Sequence, residues 1–324
     1  MLKVGIIGAR GHVGKELIQL IDLHPDAELT FAGSRAFASQ TVQQHVPDFS
    51  NAELCYQDVP FESLADRALD VLFLALPNGI ATKQHALWQA MSKDTVVIDL
   101  SADFRFHGDW VYGQPETHTD LIQSARLIAN PGCYATAVQL GIIPLLPYLK
   151  EVPTAFGVSG YSGAGTTASD KNDPKRLKEN LLAYQATGHI HEQEVSHVLN
   201  QQVRFMPHVA SHFRGIHMTV SGLLDLDKLK SNFGQEDLHK LFEQYYQNDA
   251  LITVQSQPPE LQQVAGKHHV VIGGFDCSQQ EPGHFVLNVC LDNLLKGAAT
   301  QAIQNMNLAT THTTQHINRG IYHD

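Results

Sequence analysis

Several features that would place a protein in other classes are missing from this 324-residue chain. Its longest apolar stretches, around Val71–Pro77 and Ala137–Pro147, fall well short of the roughly 20 residues a bilayer-spanning helix needs. The opening Met1-Leu2-Lys3-Val4-Gly5-Ile6-Ile7-Gly8 enters an expected strand at once, without the three regions of a signal peptide, so a cytoplasmic, membrane-free protein is expected. Positive charge is in deficit: 22 Lys and Arg stand against 33 Asp and Glu, a net charge of −11. That balance disfavours nucleic acid and anionic lipid as partners and points to a small molecule. Cysteine is scarce, and Cys55, Cys133, Cys277 and Cys290 form no CxxC pair, so the spacing supports neither a disulfide framework nor a structural zinc site. Histidine is plentiful at 19 residues, but His312, His316 and His323 sit in the tail and most others stand apart from any ligand at metal spacing. Solvated side chains are expected for most of them, and no metal site. There is no internal repeat and no low-complexity linker.

What is present reads as two domains. Short apolar runs at Val4–Ile7, Leu29–Ala32, Asp70–Leu76 and Val96–Leu100, with a helical pattern at Val13–Leu23, carry the rhythm of a doubly wound parallel sheet. After Gly132 the pattern changes to longer strands at Thr154–Ser159, Gly215–Leu224, His268–Phe275 and Gly283–Leu291, with helices near Glu192–Gln201 and Leu238–Gln247. The expected fold class is therefore α/β, a Rossmann-type parallel sheet domain joined to an α+β domain whose sheet is mixed or antiparallel, with helices on one face. Asp292 is the expected N-cap of a long last helix, with Leu295, Ala299, Ala302, Ile303 and Met306 on one apolar stripe.

Five segments and two arginines carry candidate chemistry. Gly8-Ala9-Arg10-Gly11-His12-Val13-Gly14 follows a strand and opens a helix, so backbone N–H groups can face a pyrophosphate. A tight turn with no ligand explains the glycines equally well. The next strand ends in Gly33-Ser34-Arg35, where an NAD enzyme would carry an acid for the ribose hydroxyl; Ser34 and Arg35 suit a 2′-phosphate, favouring NADP(H), the alternative being that Arg35 is a surface charge. Asn130-Pro131-Gly132-Cys133-Tyr134 leads into a helix, so Cys133 sits where the helix dipole favours thiolate; the alternative is a packed thiol. Gly188-His189-Ile190-His191-Glu192-Gln193-Glu194 offers an acid/base followed at i+3 by a carboxylate, and equally reads as half a metal site or two surface histidines. Ser159–Gly165, with Ser162 at its centre, is small enough to bring backbone donors to an oxyanion or phosphate, the alternative being a simple flexible loop. Arg105 and Arg214 are each able to clamp a carboxylate or phosphate, or to form an ordinary ion pair.

In this order, Gly8–Gly14, Leu100–Arg105, Asn130–Thr136, Ser159–Gly165, Gly188–Glu194, Arg214–Ile216 and Asp292–Met306 resemble the N-acetyl-gamma-glutamyl-phosphate reductases across nearly the whole chain, with a more distant similarity to aspartate-semialdehyde dehydrogenases. The resemblance implies NADPH-dependent reduction of N-acetylglutamyl phosphate, a small-molecule acyl phosphate, through a Cys133 thioester, in arginine biosynthesis. It implies Cys133 as nucleophile and His191, steadied by Glu194, as acid/base. Arg105, Ser162, His189 and Arg214 stand on the substrate side, and Gly8, Arg10, Gly11, His12, Val13, Ser34, Arg35 and Asn293 on the cofactor side. It further implies a cofactor domain of residues 1–132 with 292–324, a catalytic and oligomerisation domain of 133–291, and a homodimer or homotetramer. Ala135, Tyr161, Thr166 and His217 depart from the family pattern without removing a group the chemistry needs. Rival readings are an aspartate-semialdehyde dehydrogenase, a carrier-linked aminoadipyl-phosphate reductase, a thiol hydrolase and a non-catalytic NADP-binding sensor. The carrier-linked case calls for a basic docking surface, against which the net charge of −11 argues.

Overall fold

The computed structural model describes residues 1–230 and 232–321. The chain divides into two compact units, Met1–Gly132 with the stretch from Ala298 onward, and Cys133–Gly297. Residues 292–297 thus group with the second unit, and the expected extension of the first to 324 runs past the described residues.

The first unit is built on seven strands: β1 (Leu2–Ile7), β2 (Ala27–Gly33), β3 (Tyr56–Gln57), β4 (Val71–Leu74), β5 (Val96–Asp99), β6 (Val111–Tyr112) and β7 (Leu127–Ala129). Their order is β3-β2-β1-β4-β5-β7-β6, and every pairing is parallel. Val4–Ile7, Val71–Leu74 and Val96–Asp99 are buried without alternation, as strands covered on both faces must be. Chain order reverses beside β1, so the carboxyl ends of β1, β2 and β4 open a crevice of the kind where ligands bind in such sheets. Helix α1 (His12–Asp22) follows β1 and buries Leu17, Ile18, Leu20 and Ile21. Helices α2 (His85–Met91) and α3 (Pro115–Ser124) follow β4 and β6.

The second unit is also a seven-stranded sheet: β8 (Thr154–Gly160), β9 (Leu181–Ala183), β10 (Arg204–Ala210), β11 (Ile216–Leu223), β12 (Ile252–Val254), β13 (Val270–Cys277) and β14 (His284–Leu291). The order β12-β13-β14-β11-β8-β10-β9 mixes parallel pairs (β8 with β10, β12 with β13) with antiparallel ones. Helices α4 (Cys133–Ile142), α5 (Ile190–Leu199) and α6 (Gln235–Tyr246) join the core on its inner face, where Tyr134, Val138 and Phe242 belong to one buried cluster with Phe205, Val220, Phe285 and Val289. The opposite face carries the row Met206, Phe156, Thr219 and Asn288 across β10, β8, β11 and β14. On that face Phe156 is 37% exposed and Met206 39%.

The last helix differs from its expected form. Asp292 does cap it, Oδ1 accepting from the N–H groups of Leu294 (2.8 Å) and Leu295 (3.1 Å). A single π turn over Leu295–Ala299 then precedes the α-helix Thr300–Thr311. All residues from Thr300 to Ala309 are buried, so there is no polar face. The amide nitrogens of its asparagines are satisfied internally: Asn305 Nδ2 donates to Gly113 O (2.8 Å) and Asn130 Oδ1 (3.0 Å), and Asn307 Nδ2 donates to Ile317 O (3.0 Å) and Arg319 O (2.9 Å). Each such pairing offsets the cost of burying an amide.

Of the tail histidines, His312 is exposed and its Nδ1 donates to Gln123 O at 2.6 Å; His323 lies outside the described residues. His24 and His189 are buried, two exceptions to an expectation that concerned most of the histidines. Among the described residues no helix is long and apolar enough to cross a membrane.

Candidate active site

In the first unit, the glycine turn after β1 is shaped by contact with its own sheet. Gly8 has φ of +82°, and a Cβ there would lie 2.1 Å from Ala75 O. At Gly14 a Cβ would come within 2.7 Å of the Ala9 backbone. Gly8 and Ala9 donate to Gly33 O (3.0 and 3.1 Å), which ties the turn to the end of β2. Gly11 is the N-cap of α1, and His12 and Val13 are its first residues. Beside this turn is a cavity of about 670 Å³, a size suited to a small-molecule or cofactor ligand, whose lining includes Gly8, Arg10, Gly33, Ser34, Arg35 and Asp58. Four of the sequence-selected cofactor residues, Gly8, Arg10, Ser34 and Arg35, thus share one cavity, whereas Gly11, His12 and Val13 stand at the adjoining helix end. Asp58, in the segment after the two-residue β3, carried no signal in the sequence.

Arg105 is buried in the same unit, where Nε donates to Asn130 O (3.0 Å) and Nη2 to Leu100 O (3.2 Å). Near it, Asp99 is fully buried and receives hydrogen bonds from the Ser101 N–H (3.2 Å) and Oγ (2.7 Å). Burial pushes its carboxyl up to about 6, with Ser101 and the Arg105 charge opposing.

In the second unit, Cys133 is the first residue of α4 and half-buried. Gly297 packs against it: a Cβ at Gly297 would sit 2.7 Å from the Cys133 Cβ, so any larger residue there would displace the thiol. The next side chain, Tyr134, is buried and its hydroxyl donates to His208 O at 2.5 Å. The Tyr134 ring lies 5.8 Å from that of His191 and 6.4 Å from that of His189, and the two imidazoles are 4.9 Å apart.

The imidazole pair is held at the head of α5. His189 is the N-cap, its Nδ1 accepting from the His191 N–H at 3.1 Å. One member of the pair therefore has a structural duty that the sequence did not disclose. Glu192, exposed to no sequence suspicion, fixes the turn through Oε1, which accepts from Gly188 N (2.9 Å), and Oε2, which accepts from Phe205 N (2.9 Å). Glu194 is fully buried at i+3 from His191 on the same helix. His189 is pushed down to about 4, chiefly by burial and then by the Lys171 charge, with Glu192 opposing, so its ring is neutral near pH 7.

Tyr184 is a further member. Its ring is 5.6 Å from that of His189, and Lys171 Nζ lies 4.6 Å above it. Burial raises its phenol to about 12, and the Cys133 sulfur acts in the same direction on both Tyr184 and Tyr134. Both hydroxyls thus stay protonated, as donors, close to the thiol. Residues 181–184 lie in a short edge strand and the turn after it, which is why no periodicity marked them.

Ser162, Asn293 and Arg214 form a second group. Asn293 Nδ2 donates to Ser162 Oγ (2.9 Å) while its Oδ1 accepts from Gly215 N (2.7 Å). Arg214 Nε lies 2.6 Å from Asp292 Oδ2, and its Nη2 donates to Asp292 Oδ1 (3.3 Å). The fully buried Asp292 also accepts from Gly266 N at 2.7 Å. Of the two roles the sequence allowed for Arg214, these contacts favour the ion pair, and Asn293 braces the Ser162 loop.

Comparison with known proteins follows the same two-part division. Residues 3–125 match a family described as "Semialdehyde dehydrogenase, NAD binding domain", and residues 133–293 one described as "Semialdehyde dehydrogenase, dimerisation domain". The chain is 49% identical over 308 residues to an N-acetyl-gamma-glutamyl-phosphate reductase of Xanthomonas axonopodis pv. citri, covering 94% of this chain and 95% of the relative. It is 47% identical to the protein of the same name from Stenotrophomonas maltophilia, covering 94% of each. Among solved structures, aspartate semialdehyde dehydrogenase II of Vibrio cholerae superposes with a TM-score of 0.76 at 18% identity, covering 95% of this chain and 98% of that one, a likeness of fold.

Proposed function

Because the chain belongs to the N-acetyl-gamma-glutamyl-phosphate reductase family, we propose that it reduces N-acetyl-L-glutamyl 5-phosphate to N-acetyl-L-glutamate 5-semialdehyde with release of phosphate, as a step of arginine biosynthesis. The observation that carries this reading is Cys133 at the head of α4, its neighbour Tyr134 packing 5.8 Å from the His191 ring at the head of α5, within a chain that shares 49% identity with such a reductase over 94% of its length.

NADP(H) is the proposed cofactor. The cavity of the first unit suits a dinucleotide: Gly8 leaves space that a Cβ would fill, and Arg10, Ser34 and Arg35 supply donors and positive charge for a 2′-phosphate. When bound, the cofactor supplies the hydride that reduces the acyl group. The remaining chemistry falls to the chain itself. The Cys133 thiolate, favoured by the helix end, attacks the acyl carbon; phosphate departs and a thioester remains on sulfur. Backbone N–H groups of the first turn of α4, and the protonated Tyr184 hydroxyl, are the proposed donors to the developing oxyanion. After reduction, the hemithioacetal on Cys133 loses its proton to His191 as the C–S bond breaks, releasing aldehyde and thiolate. Glu194 orients His191. His189 caps α5 and, with Ser162, faces the substrate side; Arg105 serves its anionic groups, and Arg214 and Asn293 position the Ser162 loop.

Residues 133–293 match a dimerisation domain, and the exposed apolar row around Phe156 and Met206 is the proposed interface of a homo-oligomer. The test is the reverse reaction: N-acetylglutamate semialdehyde, phosphate and NADP are mixed with the protein and NADPH absorbance is followed, beside a cuvette holding aspartate semialdehyde. Phosphate-dependent NADPH formation in the first cuvette alone is expected, with abolition in Cys133→Ser. Activity only with aspartate semialdehyde, or undiminished turnover in Cys133→Ser, overturns the reading.

A further inference from the structure

Away from the thiol and from the cofactor cavity, the first unit brings His85 to two side chains some twenty residues further along the chain, His107 and Asp109. His85 opens α2, and His107 and Asp109 lie in the loop between β5 and β6. One potential ligand atom from each falls within 4.8 Å of the other two. The imidazoles meet edge to face with centroids 4.5 Å apart, and His107 Nδ1 lies 3.9 Å from Asp109 Oδ2. His85 Nε2 is shielded from solvent and has no hydrogen-bond partner among the described residues, an expensive condition for a ring nitrogen.

We propose that His85, His107 and Asp109 bind a divalent transition-metal ion of the zinc class. Two imidazoles and a carboxylate are the donor set of open zinc sites, in which water takes the fourth position. Tetrahedral zinc with bonds near ~2 Å requires ligand atoms about 3.3 Å apart, so side-chain adjustments of roughly 1 Å close the site. The surroundings favour that closure. Gln89 Nε2 donates to Asp109 Oδ2 at 3.1 Å, orienting the carboxylate as outer hydrogen bonds do in metal sites. Phe104, stacked on Trp110 at 4.0 Å, backs His85 at 5.4 Å. The contact that His107 must relinquish is weak, a 3.4 Å approach of the Asp109 N–H to its Nδ1. With His107 41% and Asp109 57% exposed, water competes and the affinity is modest. Arg105 stands two residues before His107, so the ion would pin the loop that carries it to the start of α2.

Zinc also binds reactive thiols, so the measurement uses full-length Cys133→Ser protein, stripped by dialysis against chelator and titrated calorimetrically with zinc chloride. One ion per chain is expected, with magnesium chloride giving no comparable heat because that cation prefers oxygen ligands. His107→Gln and Asp109→Asn, both at exposed positions, the first giving up the ring contacts with His85 and Phe104, are each expected to weaken zinc binding by roughly tenfold or more. Cobalt should give a visible spectrum without a thiolate charge-transfer band. The proposal fails if the parent takes up no zinc, if His107→Gln binds it as tightly as the parent, or if the cobalt spectrum shows sulfur ligation.

Discussion

His189 supplies a titration whose structural consequence can be worked out. Its ring is neutral in the folded protein because burial and the Lys171 charge hold it down at about 4, and the neutral Nδ1 caps α5 by accepting from the His191 N–H. In an opened state the ring recovers the ordinary value of about 6.5. As pH falls below 6.5 the open state therefore binds a proton first. The stability that His189 contributes is complete above that point, declines as pH falls toward 4, and is fully lost below it. Linkage between those two values makes α5 easier to open at pH 5 than at pH 7 by about 2 kcal/mol, a roughly twenty-fold fall in protection. Hydrogen–deuterium exchange of peptides spanning 188–199, corrected for the intrinsic pH dependence of exchange, reads this directly. In His189→Asn the amide oxygen keeps the cap while the titration disappears, so the variant's protection should hold level over the same interval, apart from changes shared with the rest of the chain. Equal pH slopes in parent and variant would refute the reasoning.

Three further outcomes follow from other parts of the molecule. Asp292→Asn removes the anion that pairs with Arg214 and weakens the caps at Leu294 and Leu295; urea denaturation should register a loss of about 3 kcal/mol, the lower end for a broken buried pair because Arg214 is 23% exposed. Gly8→Ala places a Cβ 2.1 Å from Ala75 O at a φ of +82°, and a fluorescence titration should show NADPH affinity lowered at least roughly tenfold, against unchanged affinity if the turn has no ligand. Phe156→Asp, on the outer face of β8, should shift size-exclusion elution toward the monomer while circular dichroism is preserved, since the side chain is already 37% exposed in the single chain.

Local pattern carried much of the fold. Uninterrupted apolar runs marked the parallel strands because both faces of that sheet are covered, whereas most of β11 and β14 is buried in alternation because only one face of theirs is. Cys133 was legible because a helix start is written in adjacent residues, and the Gly8 turn because its backbone geometry excludes a side chain. The two-residue strands β3 and β6 and the edge strand β9 escaped, being too short to show a period.

The sequence by itself thus determined the order of elements, the head-of-helix thiol, and which short segments were able to carry chemistry, since each of these depends on residues within a few positions of one another. Only tertiary structure decided the partners. Arg214 was an isolated cation until the fold brought Asp292 to it, and Asn305 and Asn307 of the last helix found acceptors in Gly113, Asn130 and Ile317 only in the folded chain. Tyr184 joined the imidazoles from an edge strand, and His85 met His107 and Asp109 across a strand and a loop. The physical reason is common to all of them: burial and pairing are properties of groups distant in sequence, and they set both the charge a side chain carries and the role left open to it.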